Sequence, residues 1–130
     1  MREENIYLSL PVNAAYVSAA RLTASSIANR MSFDIDEIED IKAAVSEACT
    51  FVIKNYPAGG PKDFSLEFKM GQGELTITLE TKTPLPMDEL GEEMGLVMIR
   101  ALMNNVQLSD QPEQHFAIVM VKRHQSISFD

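Results

Sequence analysis

Basic residues are scarce in this chain: 11 lysines and arginines face 19 aspartates and glutamates among 130 residues, a net charge of −8. That balance argues against a nucleic-acid or anionic-membrane surface, since both need a basic patch. The only basic cluster, Lys122-Arg123, reads as a solvated strand end. Cysteine is nearly absent. A single Cys49 excludes an intrachain disulfide and fits a reducing, cytoplasmic setting. No apolar run approaches the roughly 20 residues of a membrane span. No apolar segment of signal-peptide type follows Arg2-Glu3-Glu4. Internal repeats and low-complexity segments are also missing. What is present is ordinary for a soluble globular protein, with 45% apolar and 23% charged residues. The length suits one domain, residues 1–130, with a single packed core.

Apolar periodicity places the elements. Ile6, Leu8 and Leu10 alternate with polar or small residues, a first strand ending at Pro11. Asn13 suits an N-cap. Val17, Ala20, Ala24, Ile27, Ala28 and Met31 then recur at helical spacing, a narrow stripe of mainly small residues that permits close packing on a sheet. Asp34 and Glu37 have the spacing of a capping pair for a second helix. Its core stripe is Ile38, Ile41, Val45, Ala48, Val52 and Tyr56, and the run Pro57 to Pro61 ends it. Phe64 to Met70 and Leu75 to Leu79 alternate on either side of Gly71-Gln72-Gly73, a hairpin. Thr81 to Glu93 reads as loop, Met94 to Asn104 as a third helix with Leu96, Ile99 and Met103 inward, and Val106 with Leu108 as a short strand. A turn at Asp110 to Glu113 leads to a last strand from His115 to Arg123. This order implies an α+β two-layer sandwich with the helices on one face of the sheet.

The second helix carries the informative pair. Glu47 and Phe51 stand four residues apart and share a face, within a stripe that also holds Asp40, Ala44 and Lys54. A carboxylate there suits a general base or a metal's water, yet the next position on that face is a phenyl ring.

The run Asp40-Ile41-Lys42-Ala43-Ala44-Val45-Ser46-Glu47-Ala48-Cys49-Thr50 resembles the N-box helix of the anti-sigma-factor serine kinases, within the GHKL ATPase superfamily. Ala20-Arg21-Leu22-Thr23, and Met94-Gly95-Leu96 with Met98-Ile99 and Ala101-Leu102-Met103, are further matches, so the resemblance covers nearly the whole chain. It implies the Bergerat-type two-layer fold with a mixed, mostly antiparallel sheet. It also implies an ATP site of three parts: a helix supplying a base Glu and a magnesium-binding Asn, a strand-end Asp that bonds adenine, and a glycine loop that gives backbone N–H groups to the phosphates.

Carried over residue by residue, the pattern is broken. Glu47 falls on the base position. Phe51 falls on the magnesium Asn and has no oxygen to offer a hard cation. Thr81 stands for the adenine Asp and Thr83 for the Gly two residues on. Glu80 is one residue off, which on a strand means the opposite face. Only Gly95 remains of the phosphate loop, and Glu93 occupies its first glycine position. A carboxylate about 4 Å from a phosphate repels it by roughly 1–4 kcal/mol. The expectation is a degenerate site with no cofactor, Mg-ATP being bound only if the site functions. Asn55 and Asp88 are the nearby candidates for a compensating metal ligand.

The resemblance also implies partners. Arg21 falls where the family contacts a sigma factor and its antagonist, and a guanidinium fork suits carboxylate recognition. A homodimer is expected on the same ground. Two functions follow: an anti-sigma-like regulatory protein acting by protein–protein binding, or an active kinase that phosphorylates a serine of an anti-sigma-factor antagonist. A pocket turned to another small ligand is a third. Plainer readings accompany these: Cys49 a small buried hydrophobe, Met94, Met98 and Met103 core filler, His115 and His124 structural or surface residues, and Asp88, Glu89, Glu92 and Glu93 a solvated loop.

Overall fold

A computed structural model describes residues 3–60, 62–85, 94–109 and 115–125. Among the described residues five strands and three α-helices follow one another: β1 (Glu4–Pro11), α1 (Val17–Arg30), α2 (Ile35–Asn55), β2 (Asp63–Met70), β3 (Glu74–Thr81), α3 (Met94–Leu102), β4 (Asn105–Leu108) and β5 (Ala117–Arg123). The strands form one sheet in the order β1-β2-β3-β5-β4, and all four pairings are antiparallel. The parallel component implied by a mixed sheet is therefore missing among the described residues. The chain reaches this arrangement with hairpin β2–β3 and, after α3, with β4 returning at the edge beside β5.

Alternation separates the two sheet faces. Phe64, Leu66 and Phe68 of β2, Leu75, Ile77 and Leu79 of β3, and Ile118 and Met120 of β5 are buried in one core with the helices. Each such aliphatic or aromatic side chain contributes about 1.5–3 kcal/mol on leaving water. The opposite face carries Tyr7, Glu67 and Thr78 in one cross-strand row, and the Tyr7 hydroxyl donates to Glu67 Oε2 at 3.1 Å.

Local chemistry explains the helix limits. Asn13 caps a 3-10 turn, Ala14–Tyr16, that leads directly into α1. The Asp34 carboxylate accepts from the Glu37 N–H at 2.8 Å, and Glu37 Oε1 accepts from the Asp34 N–H at 2.9 Å, a complete capping box. Ala20, Ala24 and Ala28 are fully buried, and α1 packs on α2, which in turn packs on α3. The C-terminal end of β5 ties the helix layer to the sheet. His124 stacks on Phe33 and its Nε2 lies 2.7 Å from the Ser32 carbonyl oxygen, while the Gln125 N–H donates to Glu37 Oε2 at 2.9 Å. Ser32 holds φ +67, a left-handed backbone that joins α1 to α2.

Two further expectations change here. Lys122 is not a solvated strand end. It points inward, 6% exposed, and its ammonium donates to the Leu102 carbonyl at 2.6 Å and to Asp40 Oδ2 at 3.1 Å. Only Arg123 of that dipeptide is exposed, paired with Glu74 at 3.0 Å. Met98 is not core filler: it lies on the outer side of α3, whereas Met103 is buried as expected. The loop after Thr81 is described as far as Leu85. Asp88, Glu89, Glu92 and Glu93, the turn from Asp110 to Glu113, and Pro61 lie outside the described residues.

Candidate functional site

The C-terminal half of α2, the end of β3 and the approach to β5 meet in one place. α2 delivers Phe51 there because Ala44, Val45, Ala48 and Val52 are buried and fix the rotation of the helix. Phe51 is only 4% exposed, and its ring packs on Phe116 with centroids 5.7 Å apart and planes tilted 43°. That separation falls in the favourable range for a tilted aromatic pair. The Asn55 amide donates to the Phe51 carbonyl at 2.9 Å, so this candidate metal ligand is turned onto the end of its own helix.

Thr81 closes the same place from the sheet side. Its backbone N–H donates to the Phe116 carbonyl at 3.0 Å, and its hydroxyl accepts from the Phe116 N–H at 3.1 Å. The one hydroxyl hydrogen goes to the Thr83 carbonyl at 2.5 Å. Thr81 is 4% exposed, and its side chain spends both its donor and an acceptor on the protein itself. Glu80, its neighbour, faces the other side of the sheet, with Oε2 3.4 Å from His115 Nε2, as a one-residue slip on a strand requires. Thr83 is half-buried. The 81–83 turn is braced by Lys82, whose ammonium lies 2.7 Å from Asp63 Oδ1, a pairing that holds the lysine above its ordinary pKa. Tyr56 donates to the Asp63 carbonyl at 3.1 Å, and burial pushes its phenol upward.

Glu47 is half-buried on the α2 flank, and no hydrogen bond or ion pair joins its carboxylate to another described residue. Gly95 lies in the first turn of α3, the helix packed on α2. Glu93 lies outside the described residues. Arg21 is apart from this group, exposed on α1 and without an ion pair among the described residues. Cys49, fully buried, has its thiol pushed up to about 12 by burial, which suits a hydrophobe and not a nucleophile.

Phe116 was not legible as a site residue. It precedes a strand, far in sequence from Phe51, and its only local signal is an aromatic ring beside a run of apolar residues. Open cavities of about 530 and 810 Å³ exist elsewhere, near Glu4, Arg30 and Met70, and neither touches Glu47, Phe51 or Thr81.

Comparison with known proteins agrees with this architecture. The family profile of the histidine kinase-like ATPase domain matches residues 10–122. The serine-protein kinase RsbW of Halalkalibacterium halodurans is 34% identical, over 82% of this chain and 76% of that protein. The enzyme of the same name from Bacillus cereus is 30% identical, over 93% and 86%. Among solved structures, the RsbU and RsbW domains of a Mycobacterium tuberculosis protein superpose with a TM-score of 0.74 at 15% identity, covering 92% of this chain and 32% of that one. SiaB in its complex with SiaC from Pseudomonas aeruginosa gives 0.70 at 10% identity, covering 89% and 88%. These two likenesses speak for the fold. With its sheet order, its Glu47 helix and these relatives, the chain belongs to the histidine kinase-like ATPase domains, among the anti-sigma-factor serine kinases.

Proposed function

We propose that this chain is an anti-sigma-factor-like regulatory protein of the cytoplasm that acts by binding other proteins, on a scaffold that no longer takes ATP. The observation that carries the reading is Phe51, buried against Phe116 where the family places its magnesium-binding Asn. Thr81 supports it. A group meant to meet adenine would direct its polar atoms outward, and this hydroxyl is bonded to Thr83 and Phe116 instead. No cofactor is expected. The partners are a sigma factor, an antagonist protein or both, met through Arg21, whose exposed guanidinium is open to a carboxylate across an interface. A homodimer accompanies this reading.

Titration calorimetry with Mg-ATP, followed by binding assays with a purified sigma factor and antagonist, tests it. ATP at about 100 times its Kd would add about 2.7 kcal/mol of stability, readily seen as a raised Tm. The expected result is no heat and no Tm shift, with partner binding weakened by Arg21→Ala. Sub-millimolar Mg-ATP binding, or partner binding indifferent to Arg21→Ala, would overturn it.

One observation favours the alternative, an active kinase acting on a serine of the antagonist. Glu47 keeps a half-buried carboxylate with no partner among the described residues, as a base awaiting a hydroxyl would. Radiolabel transfer from ATP to the antagonist, abolished by Glu47→Gln, is the result that would favour it.

A further inference from the structure

α3 reads Met-Gly-Leu-Val-Met-Ile-Arg-Ala-Leu, and its single polar side chain is Arg100. A helix apolar on all sides is ordinarily covered on all sides. Among the described residues this one is covered on one side only. Leu96, Ile99 and Met103 beneath it are buried, while Val97 is 55% exposed, Met98 is 40% exposed and Ala101 is exposed. Positions 97, 98 and 101 fall on one face at helical spacing. The outer face of α3 is thus apolar with no described residue over it. Its flank carries Arg100, exposed and joined to no other described residue by an ion pair. On a chain of net charge −8, no acidic residue occurs from Met94 to Ser109. Within that segment the one charge is the positive charge of Arg100.

We infer that the Val97–Met98–Ala101 face of α3 is a docking surface for an amphipathic helix of another protein, one with an apolar stripe flanked by carboxylates. Helix-in-groove recognition reads such a stripe at three- and four-residue spacing. The flexible thioether of Met98 adapts to the incoming side chains. The unpaired guanidinium of Arg100 selects the acidic flank and sets its side. A second copy of this chain is a poorer occupant. Packed antiparallel through the same face, two copies bring like flanks together and set Arg100 beside its own counterpart, which repels. The surface is separate from Arg21, which lies on α1, so the inference does not depend on the partner assigned to that residue.

Two synthetic helical peptides with the same leucine stripe test this, one flanked by glutamates and one by lysines, titrated into isotopically labelled protein. The glutamate peptide is expected to bind more tightly by roughly fivefold, the ratio one exposed ion pair sustains, and to shift the amide signals of α3. Arg100→Glu should reverse the preference. Met98→Glu should abolish binding of both peptides and leave Tm unchanged, because Met98 is exposed. Arg21→Ala should leave peptide binding as it was. Failure of both peptides to bind, a preference that survives Arg100→Glu, or loss of binding in Arg21→Ala would overturn the inference. So would a dimer that Met98→Glu dissociates, since the occupant would then be a second copy.

Discussion

Replacing Phe51 with alanine separates a packed interior from an open nucleotide cleft. The side chain is 4% exposed and faces the Phe116 ring at 5.7 Å. Truncating a buried phenylalanine costs about 3–5 kcal/mol, the transfer of the lost atoms plus the cavity they leave. About 0.5–1.5 kcal/mol of such a loss belongs to the ring pair itself. For a chain of this size the loss corresponds to a Tm lower by roughly 10–20 °C. A domain with about 5–15 kcal/mol of stability remains folded at room temperature, near the edge if it starts low in that range. Urea titration at constant temperature, with a thermal scan beside it, gives both numbers. The double variant with Phe116→Ala adds a further check, since its loss should fall short of the sum of the two single losses by about 0.5–1.5 kcal/mol. A ring resting at the mouth of an open cleft behaves differently, because its truncation removes little buried area. A loss below about 1 kcal/mol in Phe51→Ala would therefore refute the closed site.

Three further outcomes follow. Thr81→Val should cost about 1–3 kcal/mol by urea titration, because the Phe116 N–H loses its acceptor and the Thr83 carbonyl its donor, whereas Thr81→Ser should cost well under 1 kcal/mol. Cys49 is raised from 9.0 to about 12, so above pH 9 the unfolded thiol releases its proton while the native one keeps it, and stability falls. Between about pH 8 and pH 10 this amounts to about 1.4 kcal/mol, and Cys49→Ala should flatten that part of the stability–pH curve. Asp40→Asn strips a carboxylate from Lys122, whose side chain is 8% exposed, while the Asp40 side chain is 40% exposed. The loss should be about 1–2 kcal/mol after allowing for solvent screening, more than that of Lys122→Met, which removes the buried charge as well.

The helices and strands were legible where one residue type repeats with one period. Ile41, Val45, Ala48 and Val52 mark the buried face of α2, and Asp34 with Glu37 mark its start, because both signals are local. Lys122 was misread because position 122 alternates inward with Ile118 and Met120, yet residue type spoke for solvent. Its partners, Asp40 and the Leu102 carbonyl, come from two other elements. Met98 was misread for the opposite reason, since type spoke for the core while its phase on α3 points out. The candidate site divides the same way. Its family positions could be counted along the chain, but the contacts of Phe51 and Thr81 converge on Phe116, which only the β3–β5 pairing brings beside Thr81. Contacts between elements distant in sequence leave no periodic trace.

The threefold use of Thr81 has a consequence for how this protein could change. An aspartate at position 81 would still accept from the Phe116 N–H, but it has no hydrogen to give to Thr83, and it would set two oxygens against each other where Thr81 now spans 2.5 Å. Its negative charge would also be costly in a spot that is 4% exposed. Thr81→Asp alone is therefore expected to give a less stable protein. On the reading proposed above, the 81–83 turn, Phe51 and its Phe116 contact would have to change together to admit a nucleotide. On that reading, nucleotide binding would be hard to gain by single substitutions.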